Sequence, residues 1–176
     1  METSIKSNSI NYGLYLGGVL SLFTVFAYAI NLDLFTKWWY GISLMVLVII
    51  FGIISAMSSK KLLNGIINFK GAFSSYFITV AVGIVISSLV SFVIFNVIDP
   101  EAATLLQEKI LDSQVEMMRG FGAPEDAIAE VVEQMEKEDN MFAITKVLQS
   151  IAFQLIGFSV VGLIVALVVK KEDPEA

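Results

Sequence analysis

Chemistry begins with side chains that titrate, attack or coordinate, and this chain carries an unusual selection of them. It has no cysteine and no histidine. Thiol nucleophiles, disulfides, thioether-linked haem, histidine-ligated metals and Ser-His triads are therefore excluded. Carboxylates are plentiful but concentrated, because twelve of the 17 acids fall between Asp99 and Asn140. With Lys109, Arg119 and Lys137 as its only bases, that segment carries −9 while the remainder carries +3. Two regions of opposite sign are thus joined in one chain. No loop shows the twelve-residue calcium pattern with its required glycine. The acids read as solvated faces of amphipathic helices, with no cofactor or metal expected. No basic stripe with interleaved aromatics exists, so nucleic acid is not an expected partner.

The elements that position these residues are set by hydropathy. Mean hydropathy is +0.78 and 56% of the 176 residues are hydrophobic, too oily for a soluble fold of this length. The apolar residues cluster into four runs, at about 12–30, 38–57, 72–98 and 147–169, none containing Asp, Glu, Lys or Arg. Each is near the roughly 20 residues that cross a bilayer. The expected fold is a single all-α membrane domain over 1–176: a four-helix transmembrane bundle with an acidic helical hairpin, 99–140, between spans 3 and 4. The small-residue triplet Ala27–Ala29 resembles a signal-peptide cleavage site, but Lys6 is a weak basic flank, so the first run reads as a retained span.

Ion-coupled transport usually keeps an acid or base inside the membrane, because burying charge is costly. The spans offer none. Asn96, Gln149 and Gln154 are their strongest polar groups and read as interhelical hydrogen-bonding residues, worth about 1 kcal/mol each. Small residues recur every four positions at Gly13-Gly17-Ser21, Gly52-Ala56, Gly83-Ser87-Ser91 and Gly162-Ala166, which would let helices approach closely.

Basic residues set the expected orientation. Lys6, the loop with Lys60, Lys61 and Lys70, and Lys170-Lys171 fall on one side of a four-span layout, so both termini are expected in the cytoplasm and the hairpin outside. Lys146 weighs the other way. Trp38, Trp39 and Tyr40 stand where an outer-interface anchor belongs. The loop 58–73 contains an Asn64-Gly65 turn signal. It reads as a hairpin-like or re-entrant stretch in the interface, its lysines facing lipid phosphates, or else as a plain linker.

Asp99-Pro100 should end one helix and start another. The residue before proline is pushed out of helical geometry. Asp is a preferred N-cap, Pro suits the first helical position, and Glu101 complements the helix dipole. The hairpin's first arm should run from Pro100 to Arg119, turn at Gly120–Pro124, and return from Pro124. At about 1.5 Å per residue each arm is roughly 25–30 Å long. The second arm has one apolar stripe, Ile128, Val131, Val132, Met135 and Phe142. The first has two: Ala103, Leu106, Ile110, Met117 and Phe121, and beside it Leu111, Val115 and Met118. One partner helix covers one stripe, so Leu111, Val115 and Met118 are candidate partner-binding residues unless the hairpin folds back and covers both. No Pro or Gly lies between Glu125 and Leu155, so composition leaves two alternatives open: the second arm runs on into span 4, or it breaks at the weak spot Glu138-Asp139-Asn140.

These words occur in a recognisable order: "YGLYLGG", an Asn-Gly loop with "FKGAF", a span ending "FNVIDPE", then "GAPEDAIAEVVEQMEK" and a Lys-rich end. Over essentially its full length the chain resembles a family of small integral membrane proteins common in Bacteroidetes, the domain of unknown function 4199. The resemblance implies a bacterial inner membrane and four spans. It implies no activity, and no site residue is carried over from it. The expected function is non-enzymatic: an accessory or structural subunit binding the bilayer and another membrane protein, or self-associating. The alternative is a small oligomeric channel or transporter, built from the polar faces of several subunits.

Overall fold

The computed structural model describes residues 2–137 and 140–171. Over these the chain is helical, and its single β-bridge joins Ile67 to Lys171. Four helices are long and apolar enough to cross a membrane: α1 (Glu2–Ile30), α2 (Trp38–Leu62), α3 (Phe69–Val93) and α6 (Ile144–Val169). A 3-10 turn, Leu32–Thr36, links α1 to α2. The hairpin helices α4 (Pro100–Gly120) and α5 (Glu125–Lys137) stand between α3 and α6.

α3 is the centre of the bundle, with α1, α2 and α6 each packed along it. The close approaches fall at the small residues. A Cβ on Gly13 would lie 2.6 Å from Val82, one on Gly17 2.7 Å from Ile86, and one on Gly83 2.5 Å from Leu16. Tyr76 of α3 is fully buried between Gly52 of α2 and Gly162 of α6, where added Cβ atoms would sit 2.5 and 2.6 Å from its ring. Lipid tails are as apolar as the helices, so association relies on such close packing rather than on the hydrophobic effect.

The loop between α2 and α3 is not re-entrant. α2 runs on to Leu62 and α3 begins at Phe69, leaving a six-residue turn. Asn64 (φ 57°) and Gly65 (φ 86°) are left-handed. Their N–H groups bond back to the Lys61 carbonyl at 3.1 Å and the Lys60 carbonyl at 2.9 Å, the Schellman closure of a helix. Asn68 caps α3 by accepting from the Gly71 N–H at 2.8 Å. Ile67 is buried, and its N–H and carbonyl pair with Lys171 at 3.0 and 2.8 Å. The Lys60 ammonium donates to the Val169 carbonyl at 2.8 Å, completing the end of α6. One end of the bundle therefore gathers Lys60, Lys61, Lys70 and Lys171, with Lys61 and Lys70 exposed. The acidic hairpin sits at the other end.

α5 does not run on into α6. It ends at Lys137, and α6 starts at Ile144. Glu138 and Asp139 lie outside the described residues, but Asn140 is non-helical and 141–143 form a turn. Asn140 explains the break locally. Its side-chain oxygen accepts from the Phe142 N–H at 2.8 Å, an Asx turn that competes with helix.

Candidate functional site

Two polar assemblies and one exposed surface stand out. At the acidic end, α3 does not stop cleanly. Its last residues, Ile94–Ile98, widen into a π-helical turn closed by the Asp99 N–H on the Ile94 carbonyl at 2.8 Å. The Asp99 carboxylate then accepts from the Ala102 N–H at 2.9 Å, capping α4, with Pro100 at the first helical position. The Tyr28 hydroxyl donates to the other carboxylate oxygen at 2.9 Å, tying the cap to the end of α1. The Ala102 N–H and then the Tyr28 hydroxyl hold the Asp99 carboxyl below the usual carboxylate range. Asp33, in the turn between α1 and α2, is likewise held low, chiefly by the Lys109 ammonium of α4.

Under these links lies an aromatic hub. Phe95 stacks on Phe142 at 4.3 Å and meets Tyr28 and Phe35 edge-on at 5.9 and 6.0 Å. Asn96 is engaged at the return of the hairpin. Its amide donates to the Phe142 carbonyl at 2.7 Å, and its oxygen accepts from Asn140 at 3.1 Å. The hairpin is therefore bolted to the bundle at both ends of its excursion, through Asp99 and through Asn140–Phe142.

The first stripe of α4 is covered within the molecule only over its first half, and the second is half-buried. Ala102, Ala103 and Leu106 are buried with Ile94 and Phe95, and Ile110 packs against that cluster. Leu111, Val115 and Met118 are half-buried. They share the α4 face of Gln107, whose amide donates to the Met135 carbonyl of α5 at 3.4 Å. That face is turned toward α5, which among the described residues packs on α4 and on no other helix. What remains open is the distal edge of α4 and its turn, with Met117 55% and Phe121 85% exposed.

The second assembly lies in the basic-end half of the bundle, where α1, α2 and α3 meet. Ser9, Ser55, Ser59, Ser75 and Thr79 are buried together. Ser75 Oγ lies 2.9, 3.1 and 2.8 Å from the hydroxyls of Ser9, Ser55 and Ser59. Thr79 Oγ1 is 2.7 Å from Ser55 Oγ and 3.0 Å from the Ser9 carbonyl oxygen. Asn8 extends the chain by donating to Ser59 at 3.0 Å. Each hydroxyl offers one proton and two lone pairs, so the cluster is satisfied from within and locks three helices in register. The sequence reading passed over it. The signal was there in Ser55-xxx-Ser59 and Ser75-xxx-Thr79, polar pairs on one face of otherwise apolar spans.

The other intramembrane polar residues stand apart from both assemblies. Gln149 is exposed near the start of α6 and has no hydrogen-bond partner among the described residues. Gln154 is exposed too, and its amide donates only to Ser150 of the same helix, at 2.9 Å. Neither makes the interhelical bond that its polarity suggests.

No curated protein and no solved structure matches the chain. A family model described as "Protein of unknown function (DUF4199)" matches residues 11–171. That range takes in most of the first apolar helix, all of the other three and the whole hairpin between the third and fourth, so the chain belongs to the DUF4199 family.

Proposed function

We propose that this protein is a non-enzymatic accessory or structural subunit of a bacterial inner membrane, binding another membrane protein through the distal edge of its hairpin. The observation that carries this reading is the exposed pair Met117 and Phe121 on an otherwise acidic hairpin held to the bundle at two points. A rigid mount lowers the entropy lost on docking, and an exposed aromatic is the kind of anchor that dominates binding energy. The partner surface that fits is an apolar recess with a basic rim. Clustering of Lys60, Lys61, Lys70 and Lys171 at the opposite end supports cytoplasmic termini and an extracytoplasmic hairpin. Lys61 and Lys70 then face lipid phosphates. The channel or transporter reading is weaker, because Asn96 is engaged with the hairpin junction and Gln149 and Gln154 lie on the outside of the subunit.

The test places a photo-crosslinking residue at Phe121 in the full chain in native membranes, followed by mild-detergent purification and mass spectrometry. A stoichiometric membrane protein crosslinked from 121, and lost with Phe121→Asp and Met117→Asp, is the expected result. Recovery of the protein with no crosslinked partner overturns it. Separately, a tag in the Gly120–Pro124 turn should be reached from outside the cell; labelling from the cytoplasm reverses the orientation.

A further inference from the structure

α6 carries a second recognition surface, distinct from the hairpin. Ser150, Gln154, Gly157, Val161, Ile164 and Val168 follow one another at alternating steps of four and three residues. That spacing is the a/d seam of a left-handed helix pair. The seam flanks the face that α6 packs on α3; Val161 is half-buried against the core at its inner edge, and the other five positions are open. Ser150, Gln154 and Gly157 are exposed, Ile164 is 59% and Val168 78% exposed, and a Cβ on Gly157 would meet nothing within 4 Å. Beside it, α2, α3 and α6 leave a half-open cleft of about 280 Å³, lined among others by Leu44, Met45, Ser87, Ser88, Gln154 and Phe158. The hydroxyls of Ser87 and Ser88 have no hydrogen-bond partner among the described residues, and Gln154 bonds only within its own helix.

Depth decides what can cover this surface. Gln154 is ten residues into α6, about 15 Å from its acidic-end terminus along the helix axis. In a hydrocarbon layer of about 30 Å that is near the midplane. Phospholipid esters and headgroups lie at the interface and cannot reach it, so lipid tails would leave the amide carbonyl and both serines without partners. The occupant must bring hydrogen-bonding groups to the midplane, as a polar residue on a spanning helix does.

We propose that the occupant is a second copy of this chain, in a parallel two-fold dimer with α6 against α6. In such a pair each residue meets residues of its own depth. Gln154 therefore faces Gln154, whose amide both donates and accepts, with Ser87 and Ser88 of either copy at a similar depth. Ser150 and Gly157, one turn to each side, keep the helices close enough for the amides to meet. A single amide on an otherwise small and aliphatic seam is also the device that fixes register and partner number. This surface is independent of the hairpin edge, so either interaction can exist without the other.

The chain has no cysteine, so single-cysteine variants of the full protein in lipid vesicles give the test. Oxidation should yield crosslinked dimers from Ser150→Cys, Gly157→Cys, Val161→Cys and Ile164→Cys. Ala152→Cys, Ile156→Cys and Leu163→Cys, which lie 120° or more around the helix from the seam and are exposed, should stay monomeric. In fluorescence-transfer dilution, Gln154→Leu should weaken dimerisation at least about tenfold, since each of two symmetric bonds is lost. Gln154→Asn should keep most of the affinity. Gln154→Leu places an apolar side chain in lipid, so insertion is retained; the cysteine pattern does not depend on it in any case. Absence of crosslinks, equal crosslinking on both faces, or an unchanged affinity in Gln154→Leu overturns the proposal. So does a monomer carrying a lipid-soluble molecule in the Ser87–Gln154 cleft.

Discussion

Ser75 has its hydroxyl at the meeting point of three others, from Ser9, Ser55 and Ser59. Removing it takes one hydrogen bond from each of three buried hydroxyls, which keep Ile5, Thr79 and Asn8 as partners. Ser75→Ala should lower stability by about 1–3 kcal/mol, measured by reversible unfolding in mixed micelles. Ser159→Ala, whose hydroxyl only bonds back to Leu155 of its own helix, is the control and should change little. At the acidic end, the Asp33 and Asp99 carboxyls are both held below the usual range by partners that exist only in the folded protein. A depressed folded pKa stabilises above the unfolded value, near 4, and that stabilisation is lost as pH falls through the folded value. Spin-label distances from α4 to the α1–α2 turn should therefore be unchanged from pH 7 to 5 and broaden below about pH 4. Asp33→Asn and Asp99→Asn together should remove the acid transition.

Among the elements, the hairpin depends on its two junctions. Asp99 both caps α4 and accepts from Tyr28, while Asn96 holds Phe142 and Asn140 at the return. Asn96→Leu should free the α5–α6 connection at a cost of about 1–3 kcal/mol. Hydrogen exchange should then speed up at 140–143 and in α5, while α1 to α3 stay protected. Equal acceleration throughout would show that the junction is not a separate unit. The start of the hairpin was legible in the sequence because Asp-Pro acts through local sterics and a local hydrogen bond. Its return was not: a helix-permitting composition from Glu125 to Leu155 left open whether the arm ran on into the last span. The break comes from the Asn140 turn being held by Asn96, forty-four residues away. The two stripes of α4 show the same limit. Their positions followed from helical periodicity, but only packing buried Ala103 and Leu106 of the first against the bundle and left its Met117 and Phe121 exposed.

For the whole molecule, the pivot is Tyr76 between Gly52 and Gly162. Gly52→Leu or Gly162→Leu drives a side chain into a fully buried ring and should destabilise by about 1–3 kcal/mol, read as thermal stability in detergent. Trimming the ring, in Gly162→Ala with Tyr76→Leu, should recover part of the loss. Gly18→Ala and Gly41→Ala, where a Cβ meets nothing within 4 Å, should be neutral. By itself the sequence determined the all-helical class, the four spans, the small-residue crossing points and the opposite charge of the two ends. Those properties follow from hydropathy, local sterics and composition, each of which acts within a few turns of one helix. The tertiary structure decided which polar residues are satisfied. Ser75 closes a network across three helices, Asn96 serves the hairpin, and Gln154 is left facing outward, bonded only within its own helix. Hydrogen bonding is pairwise and spans tens of residues, so no single helix could reveal which of its polar groups would find a partner.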